Sequence, residues 1–142
     1  LMAGVSALQQ AASMDELKKI FSDYLNQVHK QAIRLEEIFN SITFIPEEQP
    51  CDAMMGLIKE IKYIIDKTTM GTMTRDAALI IAAQKAGHYK IATYGSLYQL
   101  ATSLGMEDVT NLLYQSLQEE KDNDLLLSDI ADRKVNWLAE TE

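Results

Sequence analysis

Leu17, Phe21, Tyr24, Val28, Ala32, Leu35 and Phe39 recur every three or four residues through a stretch of nearly thirty that holds neither proline nor glycine. That spacing gives a helix one apolar face, and the face must be covered by another element. The remaining chain reads the same way. Residues 2–12 form a short helix, and SMDE at 13–16 has capping-box form for the long helix that follows to about Ser41. Pro46 and Pro50 in ITFIPEEQP stop it. A third, shorter helix spans 51–67, and Thr74 is placed to cap a fourth that runs to about Ser103. Gly105 supplies a helix-ending residue, and a last helix starts near Glu107 and Asp108 and continues past Ile130 toward Trp137.

No segment alternates with period two over the length of a strand, so the expected class is all-α. The 142 residues suffice for one domain, 1–142, built as an antiparallel bundle of long helices. The proline-bearing segment and the shorter helix behind it would carry the chain across the bundle, as the crossover does in ferritin-like folds.

Composition narrows the function classes. Acidic residues outnumber basic ones 21 to 13, giving a net charge of −8 with no Lys/Arg-rich run, which argues against a nucleic-acid partner. The longest apolar stretches fall short of the roughly 20 residues that span a bilayer, and no signal peptide is recognisable, so no membrane partner is expected. The chain opens on Leu1 rather than Met and reads as mature or trimmed. Cys51 is the sole cysteine, which excludes an internal disulfide and a cysteine zinc pattern and fits a reducing cytoplasm. At a helix start it reads as a cap-adjacent thiol. Neither a Ser-His-Asp order, a glycine-rich phosphate loop nor an HExxH string occurs.

The middle of the fourth helix is unusual. RDAALIIAAQKAGHYKIATYG, residues 75–95, places Gly87, His88 and Lys90 together. The inward stripe there reads as Ala77, Ile81, Gln84, His88 and Ile91, and on the last helix as Leu113, Leu117, Glu120, Asp124 and Leu127.

CDAMMGLIKE at 51–60, RDAALIIAAQK at 75–85, HYKIATYGSL at 88–97, QEEKDND at 118–124 and RLEEIF at 34–39 resemble the YciE/YciF-type ferritin-like bacterial stress proteins over nearly the whole chain. The resemblance implies a ferritin-like bundle, a homodimer, and kinship with proteins that hold a pair of iron or manganese ions. It also implies losses. The family's longer first helix carries an acidic residue upstream of the position of Leu1. Its usual Glu-His-Tyr-Glu run is here Gly87, His88, Tyr89 and Lys90, and its His-Leu-Glu-Glu run is Tyr24, Leu25, Asn26 and Gln27. Two positions commonly acidic are Gln115 and Gln118. Gln84, His88, Glu119, Glu120, Lys121 and Asp124 survive.

A dinuclear site needs about four carboxylates, often with two imidazoles, on facing helices. The loss of ligands at Asn26, Gln27, Gly87 and Lys90 therefore points to a structural or interaction protein, without a cofactor and not an enzyme. Lys90 either turns inward, where its ammonium is the cation the acids balance, or lays its stem on the bundle with its head in water. Gln84, His88, Glu119, Glu120 and Asp124 would form a hydrogen-bonded polar layer, His88 donating to Glu120. The alternative is an iron- or manganese-dependent oxidase or peroxide-handling protein, which requires His88, Glu119, Glu120 and Asp124 to converge on one centre. An adaptor for another protein is a third reading, whose partner the residues do not name.

Overall fold

The computed structural model describes residues 1–142. It is all-helical: α1 is Met2–Ala11, α2 Asp15–Ser41, α3 Asp52–Lys67, α4 Met73–Ser103 and α5 Glu107–Ile130, the last continuing through a π turn, Ala131–Val135, into the short α6, Asn136–Ala139. α5 packs along both α2 and α4, α3 covers α4, and α1 lies between α2 and α3. Side-chain pairs fix the directions. Ser13 meets Asp76 and Gln31 meets Lys90, so α2 and α4 run parallel; Gln84 meets Asp124 while Tyr98 meets Tyr114, so α5 runs against α4. Helices α2, α4 and α5 thus form one antiparallel framework, with α3 joined across it by the exposed, non-helical residues 42–50. No helix is long and apolar enough to cross a membrane.

Several local devices differ from the sequence expectation. The capping box at Ser13 is not used. Instead Asp76 of α4, fully buried, accepts from the backbone N–H of Ser13 at 2.7 Å and of Met14 at 2.8 Å, and so caps α2 from across the molecule. Glu16 turns outward to Arg133 and Lys134. The cap of α4 is Thr72 rather than Thr74, its hydroxyl accepting from Arg75 N–H at 3.2 Å. Buried Arg75 reaches the C-terminus of α3 and donates to Ile65 O at 2.7 Å and to Thr68 O, occupying carbonyls the helix leaves open.

The core falls into two main parts and a small third group of Val5, Tyr24 and Val28. Leu8, Leu17, Phe21, Ile61, Leu79, Ile80, Leu127, Ile130 and Val135 fill the end where α2 begins. Ile38, Tyr94, Ala101, Val109, Leu113 and Leu117 fill the end where α2 finishes. A polar layer lies between them.

On α2 the predicted stripe holds through Val28, but beyond it Gln31 and Ile38 are buried while Ala32, Leu35 and Phe39 are only partly covered. On α4 the phase is rotated. Leu79, Ile80, Ala83, Ala86, Gly87, Lys90 and Tyr94 face inward, whereas Ile81 and His88 face out.

Candidate functional site: a charge-balanced polar layer

Glu120 occupies the centre of the layer and is essentially inaccessible to water. A buried carboxylate is costly unless its oxygens are paired, and here both are. Lys90 Nζ donates to Glu120 Oε1 at 2.6 Å, Gln31 Nε2 donates to the same oxygen at 2.9 Å, and Tyr24 Oη donates to Oε2 at 2.9 Å. Lys90 Nζ also donates to Gln31 Oε1 at 2.5 Å and sits 5.3 and 5.8 Å from the ring centroids of Tyr24 and Tyr94. One turn away along α2, Arg34 grips Glu119 with both terminal nitrogens, at 2.7 and 2.5 Å, and donates to Ser116 Oγ at 3.1 Å. Gln31 Nε2 joins the two pairs by donating to Glu119 Oε2 at 3.1 Å.

The electrostatics follow from these contacts. Burial pulls the Lys90 ammonium below the ordinary lysine range, an effect that the charge of Glu120 partly offsets. Burial also raises Tyr24, and the adjacent Glu120 raises it further. Tyr94 is pushed up to about 12 for the same two reasons. Burial works to raise Glu119, but the Arg34 and Gln31 hydrogen bonds prevail and hold it below the usual carboxylate value. Two carboxylates, Glu119 and Glu120, thus face two cations, Arg34 and Lys90.

Gly87 lies directly against this layer, where a methyl group would touch Glu120 Oε2 at 3.8 Å. The remaining predicted residues lie apart. His88 is largely exposed and pairs with Asp124 rather than Glu120, Nε2 to Oδ1 at 3.2 Å. Gln84 Nε2 donates to Asp124 Oδ1 at 3.0 Å and to Ser128 Oγ at 2.9 Å, making a second, outer cluster. Asn26, His29, Gln115 and Lys121 are exposed, and Gln27 and Gln118 are partly covered. Nowhere do three His, Cys, Asp or Glu side chains converge as a metal ion requires. At the start of α3, Cys51 Sγ lies 3.1 Å from Tyr89 Oη and accepts from Met54 N–H; the Tyr89 bond is the main cause of a lowered thiol pKa.

Sequence reasoning did not single out Gln31 and Arg34. Their signal was present: Tyr24, Val28, Gln31, Leu35 and Ile38 keep helical spacing, so a polar residue interrupts an apolar face at a fixed phase.

A family model described as a domain of unknown function, DUF892, matches residues 2–140. The chain belongs to the DUF892 family. Protein YciF of Escherichia coli (strain K12) is 38% identical to this DUF892 chain over 143 residues, which cover 100% of the chain and 86% of YciF. The crystal structure of the E. coli stress protein YciF matches the bundle with a TM-score of 0.89 over 95% of this chain and 85% of YciF, at 38% identity. YcfI from Rhodopseudomonas palustris, a candidate structural protein, matches with a TM-score of 0.85 at 30% identity, over 89% of this chain and 80% of that one.

Proposed function

We propose that this DUF892 protein is a non-catalytic, stress-associated structural or interaction protein of the cytoplasm, in which the Lys90 ammonium stands where kindred bundles hold metal. The observation that carries the reading is charge closure: Glu119 and Glu120 are already neutralised by Arg34 and Lys90. Two divalent ions would bring a charge of about +4 into a poorly solvated interior, and no carboxylate in the layer is left to balance them. An ion about 4 Å from the Lys90 ammonium would meet a repulsion of several kcal/mol at an effective dielectric near 20.

The donor set therefore does not fit a dinuclear centre. Glu120 already accepts from three donors, Gly87 offers no ligand, and His88 with Asp124 faces outward. The stress and structural descriptions of the two relatives agree with this role. The test is elemental analysis of protein purified after growth with added iron and manganese, then dialysed against chelator-free buffer. Substoichiometric metal is expected; two tightly held equivalents per chain would overturn the proposal.

A further inference from the structure

The two buried glycines of the bundle have opposite surroundings. A methyl group at Gly4 of α1 would stand 3.3 Å from Ile58 Cγ1 and 3.6 Å from Ile61 Cδ1, so glycine there lets α1 and α3 touch. Gly87 of α4 is also buried, yet a methyl there would have one neighbour within 4 Å, Glu120 Oε2 at 3.8 Å. Protein interiors are packed like organic crystals, so a buried position with so few neighbours borders a space about the size of a methyl group. That space faces the less occupied end of the Glu120 carboxylate. Oε1 accepts from Lys90 and Gln31, whereas Oε2 accepts from Tyr24 alone. An ionised carboxylate has about four acceptor positions, shared equally by its oxygens, so one is left on Oε2.

We propose that the space beside Gly87 is a binding site for a single water molecule, which donates to Glu120 Oε2 and completes the hydrogen bonding of the buried carboxylate. Charge and size select this ligand. Glu119, Glu120, Arg34 and Lys90 sum to zero, so a cation here, ammonium included, would bring an unbalanced charge into a poorly solvated interior. An anion would face Oε2 directly. What remains is a neutral donor as large as a methyl group, and water is of that size. A buried water needs about two to four polar partners. Besides Oε2 there is Tyr24 Oη, which lies 2.9 Å from that oxygen and keeps a lone pair to accept the other proton of the water. The missing Cβ also uncovers the backbone of α4, whose carbonyls retain a second lone pair. An alanine side chain would fit beside Gly87, but it would take the place of the water and leave Oε2 one donor short. The inference rests on the charge closure proposed above and adds the neutral ligand that such closure permits.

Gly87→Ala compared with Gly56→Ala tests it, because Gly56 is exposed within α3 and a methyl there would meet nothing within 4 Å. Iron and manganese are first assayed in the wild-type protein and both variants, whose helical circular dichroism should match. Helix propensity alone should raise the melting temperature of Gly56→Ala by about 3 °C. Gly87→Ala should show no such rise, since the same gain is offset by the hydrogen bonds lost with the water. Oxygen-17 relaxation dispersion should count one long-lived water more in the wild-type protein than in Gly87→Ala, and no change in Gly56→Ala. In metal-free protein, a rise for Gly87→Ala equal to that of Gly56→Ala, or an unchanged water count, overturns the inference and leaves the charge closure standing. Two tightly held equivalents of metal overturn the charge closure itself, and the water with it.

Discussion

At the end of the bundle where α2 begins, helix termini are tied to other elements. Asp76 of α4 caps α2, Arg75 closes α3, Glu142 accepts from the N–H groups of Met73 and Thr74 at the start of α4, and Glu16 meets Arg133 and Lys134. At the opposite end the capping is local. Ser41 bonds back to Ile38 O, and Gly105 at φ +70 ends α4 with Met106 N–H donating to Ala101 O, a Schellman motif. The first end is locked mostly by contacts distant in sequence, the Arg75 closure of α3 being the local exception. The second relies on apolar surface that its own chain only half covers. The layer of Glu120 and Lys90 separates the two.

The largest test acts on that divide. Lys90→Met leaves Glu120 buried without a counter-charge and should cost about 3–5 kcal/mol in urea unfolding. Lys90→Met combined with Glu120→Leu should recover most of the loss, since an apolar pair can replace a buried ion pair. If the single substitution costs below about 1 kcal/mol, the layer does not divide the core energetically. Next comes a comparison of caps. Asp76→Ala removes two charge-assisted bonds and should cost about 2 kcal/mol. Gly105→Ala at the other end forces a side chain into a left-handed conformation and should cost about 1 kcal/mol. Equal losses would erase the contrast between long-range and local closure.

The smallest effect is on pH. Tyr24 and Tyr94 have raised folded pKa values, so their contribution is complete below the unfolded value near 10 and is lost as pH climbs through the folded values. Lys90 has the opposite sign: its lowered folded value leaves the unfolded chain holding more protons, and stability rises between that value and 10.5. Urea midpoints measured from about pH 8 to 11 should therefore rise slightly and then fall, with a shallower fall in Tyr24→Phe. A monotonic rise would contradict the assignment of both tyrosines to the buried layer.

The helical class and most element ends were legible because apolar spacing and the two prolines constrain them locally. α2 ends at Ser41 and α4 at Ser103, as the sequence indicates. The phase of α4 was not legible. ALIIAAQKAGHYKIA is apolar around most of its circumference, so periodicity does not choose between the face of His88 and that of Gly87 and Lys90. The Asp76 cap was hidden for a different reason: it joins positions more than sixty residues apart, while SMDE offers a plausible local substitute. Gln31 and Arg34 were passed over because their partners, Glu119 and Glu120, are equally distant.

The π turn at Ala131–Val135 has a consequence for what surrounds it. Regular winding would follow Leu127 and Ile130 with Lys134 on the inner face. One additional residue in that turn delays the rotation, so Val135 enters the core and Lys134 swings out to Glu16. A single-residue slip in helical phase thereby keeps a second lysine out of an interior that already accommodates one.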